Sequence, residues 1–188
     1  MLDRTSGLIL SLAVLAAVLG GGLAQYRRHH ATPPAPGAAT AAASTMIGQP
    51  LPALALADLD GRMHALAEYR GRRLLINFWA SWCGPCLQEM PALEAAQKKF
   101  TDQGVIVLGI AMDRADHVRA FLASQPVSYP ILLGSLDEPS TSLQLGDDAE
   151  ILPFSVLVDA DGRIIATHAG ALSTDLLARW LAPVQGAH

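Results

Sequence analysis

Only two of the 188 residues are cysteine, Cys83 and Cys86. A framework of structural disulfides is excluded once that pair has a chemical task, because no further thiol is left to pair. A closed zinc site needs four ligands, normally with a second Cys or His pair at matching spacing, and none stands nearby. Basic residues are sparse as well: 13 Lys and Arg against 17 Asp and Glu give a net charge of -4, so nothing points to nucleic acid as a partner. Lys and Arg are missing between Arg119 and Arg163, and charge of either sign is missing from Gly7 to Ala24. No internal repeat is present. With 51% hydrophobic residues, the chain can bury the core of one domain and have residues to spare.

The two cysteines lie in Asn77 to Pro91, N-F-W-A-S-W-C-G-P-C-L-Q-E-M-P. An apolar run precedes them and an amphipathic one follows, so a buried strand ends, the chain turns, and a helix begins near Cys86. A cysteine at a helix N-terminus sits among unsatisfied N–H groups and the positive end of the macrodipole, which favours its thiolate. Cys83, at the exposed end, is expected to be the nucleophile, with Cys86 one turn inward. A two-residue spacer brings both sulfurs close enough to form a disulfide. Pro85, which has no N–H and a fixed φ, narrows the motif's conformations.

W-C-G-P-C after I-N-F-W-A, with Glu89 three residues and Pro91 five residues past Cys86, resembles the thioredoxin superfamily. The nearer likeness is to its membrane-tethered TlpA-like and ResA-like disulfide reductases, over residues 47 to 188. The resemblance implies an α/β thioredoxin fold, a central mixed sheet flanked by helices, with an added N-terminal β-hairpin. It implies that Cys83 and Cys86 form the redox disulfide and that Gly84-Pro85 sets a reducing poise. Pro153, in I-L-P-F-S-V-L-V-D, matches the superfamily's cis-proline, a bond that costs only about 0.5 to 1 kcal/mol before proline. On that likeness the Leu152 backbone pairs with an extended substrate, and Trp82, Gly84 and Pro85 complete the substrate-binding surface. Phe154 departs from the threonine common at its position.

Glu89 has two readings. In one it is a first-turn glutamate stabilised by the helix dipole; in the other, carried from the C-x-x-C-x-x-E pattern, it is a catalytic carboxylate that raises the thiol pKa values and relays a proton. Asn77 stands where thioredoxin itself has a buried acid, which leaves Glu89 as the acid nearest in sequence. Trp79 is expected to be buried and Trp82 exposed.

The first part of the chain reads differently. Residues 1–30 form a membrane anchor or a signal segment: an uncharged helix over 7–24 would span about 27 Å, enough for a bilayer core, while Gly22-Leu23-Ala24 offers a cleavage site. Arg27 and Arg28 after the run place the following chain in the cytoplasm by the positive-inside rule; the family resemblance implies the opposite, a domain facing the periplasm from the inner membrane. His29 and His30 read as a solvated flank. Residues 31–46, rich in Ala and Pro, form a linker, and residues 47–188 the thioredoxin-like domain.

Within that domain, Leu54 to Ala57 and Met63 to Leu66 flank an Asp58 to Gly61 turn, and Leu74 to Trp79 and Val105 to Ala111 read as strands covered on both faces. Pro91 is expected to kink the first long helix. Asp113 is expected to cap a second helix carrying Val118, Phe121 and Leu122. A strand over Tyr129 to Leu133 and a short helix over Thr141 to Leu145 follow. Then come a hairpin around Asp161-Gly162 and a last helix capped by Ser173. Asp137, Glu138, Asp147, Asp148 and Glu150 crowd the approach to Pro153; they read as ordinary solvated surface or as an acidic rim that steers a basic partner.

The expected activity is a thiol:disulfide oxidoreductase, specifically an extracytoplasmic reductase taking electrons from a membrane thiol donor and passing them to protein disulfides. No cofactor and no metal are implied, since two sulfurs carry both electrons, and a monomer is expected. An oxidase or isomerase of the same fold and a thiol-based metal-handling module are the alternatives. Cytochrome c maturation, oxidase assembly and general disulfide repair are open as destinations.

Overall fold

A computed structural model describes residues 46–182. The expected anchor over 7–24, the linker as far as residue 45 and the last six residues lie outside them. Among the described residues no helix is long and apolar enough to cross a membrane.

Among the described residues seven strands and three α-helices follow one another as β1 (Ala55–Ala57), β2 (Met63–Ala65), β3 (Arg73–Trp79), α1 (Gly84–Phe100), β4 (Val105–Ala111), α2 (Ala115–Ser124), β5 (Ile131–Leu133), β6 (Phe154–Val158), β7 (Ile164–Ala169) and α3 (Thr174–Leu181). The main sheet has the order β5-β4-β3-β6-β7. Strands β3, β4 and β5 run parallel, β6 runs antiparallel to β3, and β7 antiparallel to β6, so β6 alone opposes the rest. Central β3 and β4 are almost continuously apolar because both their faces are covered.

Alternation along the strands sorts the core into two layers. Leu75 and Trp79 of β3 join Cys86, Met90, Leu93 and Phe100 of α1 and Leu177 and Leu181 of α3 on one face. Leu74, Ile76 and Phe78 join Leu56, Leu66 and Leu145 on the other. Asn77 sits on the α1 face by the same period of two. Its register partners are Gly109 on β4 and Ser155 on β6.

An arm of chain ahead of the main sheet touches both its edges. Gly48 N–H donates to Ile164 O, Ile164 N–H to Gln49 O and Leu51 N–H to Gly162 O. Strands β1 and β2 then pair antiparallel, and Asp58 bridges to Leu132 of β5. The turn between them needs Gly61 at φ 84°, and Asp58 Oδ1 accepts from the Asp60 and Arg62 N–H groups.

Several elements differ from the sequence reading. Helix α1 begins two residues earlier, at Gly84, with Cys83 as its N-cap, because Pro85 fits the first turn without a lost bond. Asp113 does not cap α2: Arg114 occupies that position without a side-chain cap, and Asp113 turns toward Ser81 instead. The fifth strand loses Tyr129 and Pro130, and the segment over Thr141 to Leu145 contributes only a 3-10 turn, Leu143–Leu145. Ser173 does cap the last helix, accepting from Leu176 N–H.

Candidate active site

The site forms where β3 hands the chain to α1. Cys83 and Cys86 are joined in a disulfide with Cα atoms 5.3 Å apart. Cys83 Sγ accepts from Cys86 N–H at 3.3 Å, so the sulfur lies in the position of a capping oxygen, within the field of seventeen aligned helical residues. Cys83 is 5% exposed and Cys86 fully buried. The inward order of the two sulfurs follows the sequence reading, but Cys83 is far less open than expected. Trp82 beside it is 70% exposed, whereas Trp79 is buried. Gly84 and Pro85 are on the surface.

The Leu152–Pro153 peptide is cis, as the resemblance implies. Pro153 is buried and Leu152 half-buried. Among the described residues no backbone hydrogen bond uses the Leu152 N–H or C=O, while Pro153 O accepts from Gly170 N–H and holds the turn to β7.

Glu89 is the sixth residue of α1, beyond its first turn, which removes the reading of a first-turn glutamate. It is 5% exposed and placed on the buried side with Cys86. Asn77 Nδ2 donates to Glu89 Oε1 at 2.7 Å and to Ser155 Oγ at 3.1 Å, and Leu172 N–H donates to Glu89 Oε2 at 2.7 Å. Burial pushes the Glu89 carboxyl up from its usual range, only partly opposed by the Leu172 and Asn77 bonds. A buried carboxyl with a raised pKa keeps its proton to higher pH than an exposed glutamate does and can exchange it with a neighbouring group.

A second carboxylate supports the turn from the other side. Asp113 Oδ2 accepts from Ser81 N–H at 3.0 Å and Ser81 Oγ–H at 2.6 Å, and Oδ1 from Arg114 N–H at 2.7 Å. His117 Nδ1 lies 3.1 Å from Oδ1. Burial opposes the Asp113 anion, but the Ser81 and Arg114 hydrogen bonds outweigh it and hold the carboxyl below its usual range.

Sequence reasoning missed Ser155, Leu172 and Asp113 as supports of the site. Ser155 had a signal, a polar residue at an inward position of an apolar strand; Leu172 contributes only a backbone N–H and had none. The acidic rim needs correction at Asp147, which is 2% exposed and accepts from Ile151 N–H at 3.0 Å. It organises its loop from within and cannot face a partner. Asp148 and Glu150 are exposed.

Comparison with known proteins agrees with this geometry. The family model described as Redoxin matches residues 46–179. The thioredoxin-like protein YneN of Bacillus subtilis is 32% identical over 130 residues, 67% of this chain and 73% of its own. The thiol-disulfide oxidoreductase ResA of Geobacillus thermodenitrificans is 29% identical over 130 residues, 69% and 72% of the two chains. Among solved structures, the thioredoxin domain of a thiol-disulfide oxidoreductase from Bacteroides vulgatus superposes with a TM-score of 0.61 at 25% identity, covering 71% of this chain and 94% of its own. A thioredoxin-family thiol:disulfide interchange protein from Chlorobium tepidum gives 0.58 at 25% identity, covering 70% and 92%. With a disulfide capping the first long helix of a mixed sheet and a family match across nearly all the described residues, this chain belongs to the Redoxin family as a TlpA- and ResA-like thioredoxin-superfamily thiol:disulfide oxidoreductase.

Proposed function

We propose that the protein is an extracytoplasmic thiol:disulfide reductase, held at the inner membrane by residues 7–24 and facing the periplasm. The observation that carries the reductase reading is the Cys83 cap: its sulfur already accepts the Cys86 N–H, so reduction leaves a thiolate where the helix end stabilises it. Cys83 attacks one sulfur of a substrate disulfide; a mixed disulfide forms and the other substrate sulfur leaves as thiolate. Cys86, deprotonated, then attacks Cys83 Sγ, and the first substrate sulfur departs. Two electrons pass to the substrate, and the protein is left with the Cys83–Cys86 disulfide.

Glu89, three residues on from Cys86 in α1 and buried like it, takes the Cys86 proton. The open Leu152 backbone pairs with the extended substrate, against the surface of Trp82, Gly84 and Pro85 next to cis Pro153. A membrane thiol donor restores the dithiol, and the substrates are protein disulfides, those of cytochrome c or oxidase maturation included. The periplasmic placement draws on the family resemblance and on the uncharged run over 7–24.

Equilibration of the full chain with defined thiol buffers tests the direction of flow. A potential near about -270 mV, in the thioredoxin range, supports the reductase. A value near about -120 mV transfers the assignment to an oxidase with the same cysteines.

A further inference from the structure

A cleft of about 310 Å³ opens beside the disulfide, with Trp82, Leu136, Ser140, Ser142, Glu150 and Leu152 in its walls. Trp82 precedes Cys83 and Leu152 precedes cis Pro153, so one end of the cleft is the exchange site itself. The far wall comes from the loop between β5 and β6. Trp82 is 70% and Leu136 61% exposed, two large apolar surfaces facing one depression rather than scattered singly.

Glu150 is the one polar wall residue with a formal charge, and its backbone is unusual. Among the described residues it alone, apart from glycines, has a positive φ, 48°, a conformation that persists only where the surroundings enforce it. Here the enforcement is visible. Glu150 N–H donates to Asp147 O at 2.9 Å, and Ile151 N–H donates to Asp147 Oδ1 at 3.0 Å. Ser140 Oγ–H donates to Glu150 Oε1 at 2.8 Å. Buried Asp147 is thus the internal anchor that presents Glu150 to the cleft. No cation neutralises it: residues 120–162 contain no Lys, Arg or His, and no ion pair among the described residues includes Glu150.

We propose that this cleft reads the substrate next to its reactive cysteine, and that Glu150 selects a segment carrying Lys or Arg beside a large apolar side chain. The apolar group lies against Trp82 and Leu136 and the cation meets Glu150 while the cysteine reaches Cys83. The proposal rests on the thiol:disulfide exchange reading and adds a specificity to it.

The test uses the reduced full chain and two disulfide-bonded peptides that differ only in Lys or Glu two residues from the cysteine. Second-order exchange rates are measured at low and high salt. The wild type favours the Lys peptide by about fivefold to tenfold at low salt. Glu150→Gln cuts that ratio below about twofold, and Glu150→Lys inverts it, a result that misfolding cannot produce. Asp148→Asn, exposed on the same loop, leaves the ratio in place; if it lowers the ratio as far as Glu150→Gln does, diffuse charge is responsible and the inference is overturned. Equal wild-type rates with both peptides overturn this inference alone. Failure to exchange with either peptide overturns the exchange reading and this one with it.

Discussion

Burial raises the Glu89 carboxyl above its ordinary 4.5, and the bonds from Leu172 N–H and Asn77 only partly offset it. The folded chain therefore holds this proton more tightly than the unfolded one. Glu89's contribution to stability is full below about pH 4.5 and is lost as pH rises through its raised value. Asp113 behaves with the opposite sign. Its carboxyl lies below the ordinary 3.8, so the stability it supplies is present above that value and disappears as pH falls through the depressed one. Glu89→Gln should keep stability at pH 7 within about 1 kcal/mol and flatten its fall as pH rises above 4.5, as read by urea unfolding. Glu89→Ala, which leaves the Leu172 N–H and one of the two Asn77 amide N–H groups without an acceptor in the core, should cost about 2 to 4 kcal/mol. Asp113→Ala should cost about 2 to 3 kcal/mol at pH 7 and progressively less as pH falls below 3.8 toward the depressed value, where the wild type loses the same anion. Sequence disclosed Cys83, Cys86 and Glu89 through their spacing, which is local. It did not disclose Asp113, whose partner Ser81 stands thirty-two residues away across a strand pairing that no local pattern records.

Along the elements, strands β3 and β4 were legible to within a residue, since an apolar run bounded by turns has few other places to go. The helix starts were less so, because a cap is decided by which side chain wins the free N–H groups. At α1 a sulfur wins, and at α2 Asp113 is drawn away to the redox turn. Strand β4 also holds a constraint that its apolar pattern hides. A Cβ on Gly109 would lie 2.6 Å from Ile131 Cδ1 and 3.2 Å from Trp79 Nε1. Gly109→Ala should therefore destabilise by about 1 to 3 kcal/mol and, by pressing on Trp79 two residues before Ser81, shift its fluorescence spectrum. A lowered melting temperature with an unmoved emission maximum would place the strain on Ile131 and Tyr129, whose Cε2 lies 3.2 Å from the same Cβ.

For the molecule as a whole, the arm from Met46 to Leu66 closes one face of the sheet, with Leu56 and Leu66 buried against Leu74, Ile76 and Phe78. Leu66→Ala should cost about 2 to 4 kcal/mol in thermal or urea unfolding, and deletion of the arm should yield a protein that binds a hydrophobic dye and aggregates, since two sheet edges lose their cover. The same arm decides how the domain answers a mechanical pull. Tension entering at residue 46 falls first on the Gly48, Gln49 and Leu51 backbone bonds to Gly162 and Ile164. Those bonds open one after another, in the manner of a zipper, before any load reaches β3. Extension of the chain ahead of residue 46 would thus be taken up at the β7 edge of the sheet, leaving the Cys83 turn mechanically shielded.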